Sequence, residues 1–111
     1  MDGYRLVLII AADVDAERLL RLLGERSIPA TKLSSSGGFL RRGNTTILSG
    51  VEEERVEEVL ELVRRECRAR TELMPIQALP FPDLAIPTGP VEVRVGGAVV
   101  FVLPVEHFEK T

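Results

Sequence analysis

Residues 45–68 read TTILSGVEEERVEEVLELVRRECR, a strand that runs into a helix, and this stretch decides the fold. Over 45–51 a short run of β-branched and aliphatic residues suits a strand. Beyond it Val56, Val59, Leu60 and Val63 fall on one helical stripe, and the positions between them are largely charged. Glu52, Glu53 and Glu54 stand at the start of this stripe, with Arg64, Arg65, Arg68 and Arg70 at its end. Both clusters favour the helix dipole, so the pattern predicts a helix over 52–68.

Working back toward the N-terminus, residues 4–12 are almost continuously apolar. The run is far too short to cross a bilayer, so it predicts a strand that is central or covered on both faces. Asp13 or Asp15 can cap a following helix whose apolar positions Ala16, Leu19, Leu20 and Leu23 recur at helical spacing, with Gly24 and Pro29 bracketing its end. Residues 30–35 predict a second strand with weak alternation. Gly37-Gly38 and Gly43-Asn44 then punctuate the segment 39–42, which predicts a hairpin with an elaborated tip before the strand at 45.

Toward the C-terminus, residues 71–90 carry Pro75, Pro80, Pro82, Pro87 and Pro90 among scattered apolar side chains. No regular element is expected there, and a loop this long is usually functional. Val91, Val93 and Val95 alternate with Glu92 and Arg94, Gly96-Gly97 suits a turn, and 98–103 reads as the partner strand of a closing hairpin. The resulting order is strand, helix, strand, strand, helix, strand, with one additional terminal strand. That is the α+β, ferredoxin-like split βαβ arrangement, a single domain over 1–111 with both helices on one face of an antiparallel sheet. The other face is rich in Val and Ile and needs an apolar partner, which symmetric copies of the chain would supply.

Composition narrows the function. The chain has 111 residues, 45% hydrophobic and 28% charged, with a net charge of -3. This balance is that of a folded soluble domain and lacks the basic excess that neutralises a nucleic-acid backbone. Cys67 and His107 are the only residues of their types, so neither an intramolecular disulfide nor a Cys/His metal site is expected. A reducing cytoplasm is the natural setting, and neither a membrane span nor a basic leader is read. His107 has no nucleophile or metal constellation around it in any recognisable motif, so no catalytic residue is assigned and no enzyme activity is expected.

Two separated motifs carry a resemblance. Thr31-Lys32-Leu33, then Gly37-Gly38-Phe39-Leu40-Arg41, then Gly43-Asn44-Thr45-Thr46, together with Pro90-Val91-Glu92-Val93, Val95-Gly96-Gly97-Ala98 and residues 100–105, VFVLPV, resemble the PII-like cyclic di-AMP receptor family (DarA/PstA). The resemblance covers the chain apart from its proline-rich stretch. It implies a homotrimer with cyclic di-AMP in the clefts between subunits, no cofactor, a long loop at 71–90 that is mobile until ligand arrives, and an unidentified downstream protein as partner. Carried over by motif position, the implied ligand-binding residues are Thr31, Gly37, Gly38, Phe39, Leu40, Asn44, Gly50 and Phe101. Ile28-Pro29 stand where family members often have an aromatic residue and an arginine.

These residue types suit a cyclic dinucleotide on their own chemistry. Glycine backbone at Gly37 and Gly38 lets N–H groups approach a phosphodiester. Thr31 and Asn44 offer hydrogen-bonding groups to an adenine edge or phosphate oxygen, Phe39 and Phe101 offer stacking surface, and Arg41 or Arg42 a phosphate partner. Plainer roles stand beside these: glycine pairs are commonly turns, Asn44 suits a left-handed turn, and Phe101 suits core packing as well as a pocket wall. A PII-like sensor of another adenine nucleotide, such as ATP, is the second reading of the same cleft.

Overall fold

A computed structural model describes residues 3–33, 43–74 and 91–111 of the chain. The elements in order are β1 (Tyr4–Ala12), α1 (Asp13–Glu25), β2 (Thr31–Leu33), β3 (Asn44–Glu52), a 3-10 turn (Glu53–Arg55), α2 (Val56–Glu66), β4 (Arg70–Met74), β5 (Val91–Val95) and β6 (Ala98–Pro104). Strands β2, β3, β1 and β6 lie side by side in one four-stranded sheet, and each neighbouring pair is antiparallel. With two helices interleaved, this is the strand order of a ferredoxin-like sheet.

The two-residue period of a strand sorts β1 between the sheet's faces. Val7, Ile9 and Ala11 are buried, and they join Ile47 and Val51 of β3, Ala16, Leu19 and Leu23 of α1, and Val59, Leu62 and Val63 of α2 in one core. Both helices therefore pack on the face that carries the odd-numbered residues of β1. Side chains directly opposite on paired strands share a face, so Leu6, Leu8 and Ile10 lie on the other one, with Leu48 of β3 and Val99, Phe101 and Leu103 of β6. There Val99, Phe101 and Leu103 are 53%, 51% and 43% exposed, a row of large apolar side chains with nothing over it among the described residues.

Several sequence expectations shift at element ends. The second helix starts at Val56 because Glu52 still pairs with Tyr4 as the last residue of β3, and a 3-10 turn intervenes. Its buried stripe is Val59, Leu62 and Val63, while Leu60 stays partly exposed. Neither Asp13 nor Asp15 caps α1, whose N-cap is Ala12 without a side-chain cap. The turn after α1 is made by Ser27 in the left-handed region at φ 57°, and Gly24 lies inside the helix.

One expectation is overturned. Val91–Val95 and Ala98–Pro104 do not form a hairpin: β5 pairs with β4 in a separate two-stranded sheet, and β6 pairs with β1. Gly96 and Gly97, at φ 79° and 88°, are the crossing point between the two sheets, a path that L side chains rarely follow. Residues 71–74, read as irregular, belong to β4. The rest of the stretch read as a mobile loop, 75–90, lies outside the described residues.

Candidate functional site

Four of the eight ligand residues expected from the sequence fall within the described residues, and the sheet puts all four on its open face. Phe101 is opposite Leu8, Leu8 is opposite Leu48, and Leu48 is opposite Thr31, so these residues form one row across β6, β1, β3 and β2. Gly50, opposite Leu6, lies two residues along β3 from Leu48 on the same face. Asn44, opposite Ala12, keeps the same parity at the start of β3. Gly37, Gly38, Phe39 and Leu40, with Arg41 and Arg42, lie outside the described residues.

Sharing a face is not the same as converging. Three strand spacings separate Thr31 from Phe101, roughly 14 Å. Thr31 stands on the β2 edge of the sheet and Phe101 on the β6 edge. One chain therefore places these two candidate residues at opposite edges of the sheet.

Asn44 is held from both sides by the first turn of α1. The Asp13 backbone N–H donates to the Gly43 carbonyl over 2.8 Å, and the Thr45 hydroxyl donates to Asp13 Oδ1 over 2.6 Å. At the β2 edge the Ser49 hydroxyl donates to the Pro29 carbonyl over 2.6 Å, fixing the chain's entry into Thr31. These bonds position the polar ends of the face without using Thr31 or Asn44 side chains.

The sequence reading missed two features. Thr46 is 6% exposed and its hydroxyl has no hydrogen-bond partner among the described residues. It lies on the open face between Leu33 and Ile10, and a buried unsatisfied hydroxyl calls for an explanation. Its parity with Asn44 was the available signal. The second feature is a cleft of about 660 Å³ lined by Tyr4, Pro29, Gly50, Arg55, Phe108 and Lys110 among others, within the roughly 300–1,000 Å³ of small-molecule sites. Tyr4 and Phe108 stack on each other in its wall, with ring centroids 5.1 Å apart and planes 9° apart. Arg55 is steadied by Glu58 at 3.1 Å and by the Arg26 carbonyl at 3.0 Å. Nothing local marks this wall in the sequence, because the tail past β6 has no strand or helix period.

Among the described residues no group of three or more His, Cys, Asp or Glu side chains is placed to hold a metal ion. His107 is exposed and meets Glu109 at 3.0 Å. The site therefore offers apolar rows, neutral donors and acceptors, and two cations beside Gly50, a set suited to holding a base and a phosphodiester.

The family model described as cyclic-di-AMP receptor matches residues 4–111. The chain belongs to the cyclic-di-AMP receptor family. A solved structure of a functionally unknown protein from Pediococcus pentosaceus ATCC 25745 is similar to it at 42% identity over 100% of both chains, with a TM-score of 0.77. No helix among the described residues is long and apolar enough to cross a membrane.

Proposed function

We propose that this cyclic-di-AMP receptor is a signal transduction protein, not an enzyme, that works in the cytoplasm as a PII-like homotrimer. Cyclic di-AMP sits between subunits and its occupancy is passed to a partner protein by ordering of the proline-rich stretch after β4. The observation that carries this reading is the placing of Thr31 and Phe101 at opposite edges of one apolar face. A ring in which the β6 edge of one subunit meets the β2 edge of the next brings Phe101 and Thr31 together and covers Leu8, Val99 and Leu103. In such a cleft Thr31, Asn44 and Thr46 would supply hydrogen bonds and Phe101 the base-stacking surface. Gly37, Gly38, Phe39 and Leu40 would close it, with Gly50, Arg55 and Lys110 beside the phosphodiester.

Light scattering tests assembly, with about three chains per particle expected. Calorimetric titration with cyclic di-AMP, cyclic di-GMP, ATP and AMP side by side tests the ligand. Preference for cyclic di-AMP supports the reading; binding of ATP alone would make the protein a sensor of a different adenine nucleotide. A monomer at micromolar concentration would remove the cleft altogether.

A further inference from the structure

The first turn of α1 touches two parts of the chain that are far apart in sequence. Asp13 holds the return of the β2–β3 connection through Gly43 and Thr45, as described above. Two residues on, Asp15 is fully buried and receives a forked contact from Arg70, the first residue of β4, with Nη1 3.2 Å from Oδ2 and Nη2 3.1 Å from Oδ1. Arg18 donates to the same carboxylate at 2.9 Å and to the Glu66 side chain at 2.9 Å, which adds the end of α2.

The junction is also close-packed in its backbone. A Cβ at Gly96 would lie 2.6 Å from the Arg68 carbonyl oxygen and 2.6 Å from an Arg70 guanidinium nitrogen. The Gly97 N–H donates to the Cys67 carbonyl over 2.7 Å. The β4–β5 arm thus meets the body through Arg70 at one strand and through the glycine pair at the other, and both contacts gather on Asp15 and the end of α2.

We propose that the first turn of α1 is the coupling element of the receptor, making ligand occupancy at Asn44 and the seating of the β4–β5 arm depend on each other. The proposal rests on the ligand reading above for the identity of the input. Asp13 and Asp15 lie on one helical turn and move as a body. A ligand that draws on Asn44 displaces the flanking Gly43 and Thr45 contacts, and with them the carboxylate that Arg70 grips. A bidentate Arg–carboxylate pair is directional, so it transmits orientation as well as attraction. Coupling between two sites is reciprocal: ligand shifts the arm's seating equilibrium by the same factor by which seating of the arm changes ligand affinity.

Two conservative variants test this without unfolding the core. Thr45→Val removes the hydroxyl that reaches Asp13, on β3 and outside the arm, and Arg70→Lys keeps the charge but loses the fork. Hydrogen exchange is followed in 71–74 and 91–95, relative to 7–11 in β1 as an internal reference for general destabilisation. In the ligand-free protein Thr45→Val should speed arm exchange several-fold while the β1 reference stays put. In titrations with cyclic di-AMP, Arg70→Lys should change the affinity by about fivefold or more, the usual lower range of allosteric coupling. Arm exchange that is unmoved by Thr45→Val, or that changes only in step with β1, overturns the proposal. If the parent protein fails to bind cyclic di-AMP, the ligand reading falls while the ligand-free exchange still decides the coupling.

Discussion

The two faces of the four-stranded sheet are built from the same kinds of residue and meet opposite fates. On one face Val7 and Ile9 are fully buried beneath α1 and α2. On the other Leu6, Leu8 and Ile10 stay partly exposed, and Val99, Phe101 and Leu103 more so. An apolar strand with no alternation asks for cover on both faces. Among the described residues the chain covers one face with its own helices and leaves the other open.

The largest expected effect separates these faces directly. Ile9→Ala opens a cavity in the core and should cost about 2–5 kcal/mol of unfolding free energy, read by denaturant titration. Leu8→Ala, its neighbour on the open face, should cost far less in the isolated chain yet weaken assembly, read by light scattering. Equal losses from the two variants, with no change in particle size, would mean that the open face has no partner.

A smaller effect comes from the charges at the edge of the covered face. Burial alone would raise the pKa of Asp15, but hydrogen bonds from Arg70 and Arg18, and their charges, leave it below the ordinary 3.8. Glu66, facing Arg18 and bonded to Arg65, is also lowered from 4.5. A carboxylate with a depressed folded pKa stabilises the fold above its unfolded value, and that contribution is lost as pH falls through the folded one. Stability should thus hold above about pH 4.5 and decline below it. Asp15→Asn should cost on the order of 1–3 kcal/mol at neutral pH, because it leaves the buried ends of two arginine contacts weakened, and should flatten the acid limb of the curve. An unchanged acid limb in Asp15→Asn would assign the decline to other carboxylates.

How far the sequence could be read follows the same division. Both helices announce themselves by period and the central strand by its unbroken apolar run, and the open face is implicit in residues 4–12. The pairing of β5 and β6 was misread because two β runs around Gly96-Gly97 look like a hairpin, while the choice of partner is made by β1 and β4, which lie far away in sequence. Residues 70–74, RTELM, are too polar and too near Pro75 to read as a strand until Val91–Val95 lies beside them. Thr31, Asn44, Gly50 and Phe101 share a face by parity and register, which their motifs alone do not state. The Asp15 cluster had a faint signal: an acid four residues before Leu19, on the buried stripe of α1.

Losses of ligand contacts should be smaller than core losses. Asn44→Ala and Phe39→Ala should each weaken cyclic di-AMP binding by roughly tenfold or more, since a lost hydrogen bond or stacking contact is worth on the order of 1–3 kcal/mol. Phe101→Ala should behave likewise, with an added loss of assembly. If Asn44→Ala and Phe39→Ala bind like the parent in calorimetry, the site lies elsewhere on the receptor.

The smallest effect is a reactivity contrast that reads both faces in one protein. Cys67 is 1% exposed, and burial, reinforced by the negative charge of Asp15, pushes its thiol up from 9.0 to about 11. The thiolate is the reactive form, so Cys67 should react slowly with iodoacetamide near pH 7.5 and rapidly once the chain is unfolded. Val99→Cys places a second thiol on the open face, where the parent side chain is 53% exposed. In a dilute, dissociated sample that thiol should react at nearly the rate of a free peptide cysteine, and it should be protected as concentration drives assembly. Cys67 should stay slow at every concentration, because its cover belongs to its own chain. A Val99→Cys thiol that reacts equally fast at all concentrations would show that the assembly leaves this face open, and a Cys67 that reacts as fast as it does would show that the covered face opens readily.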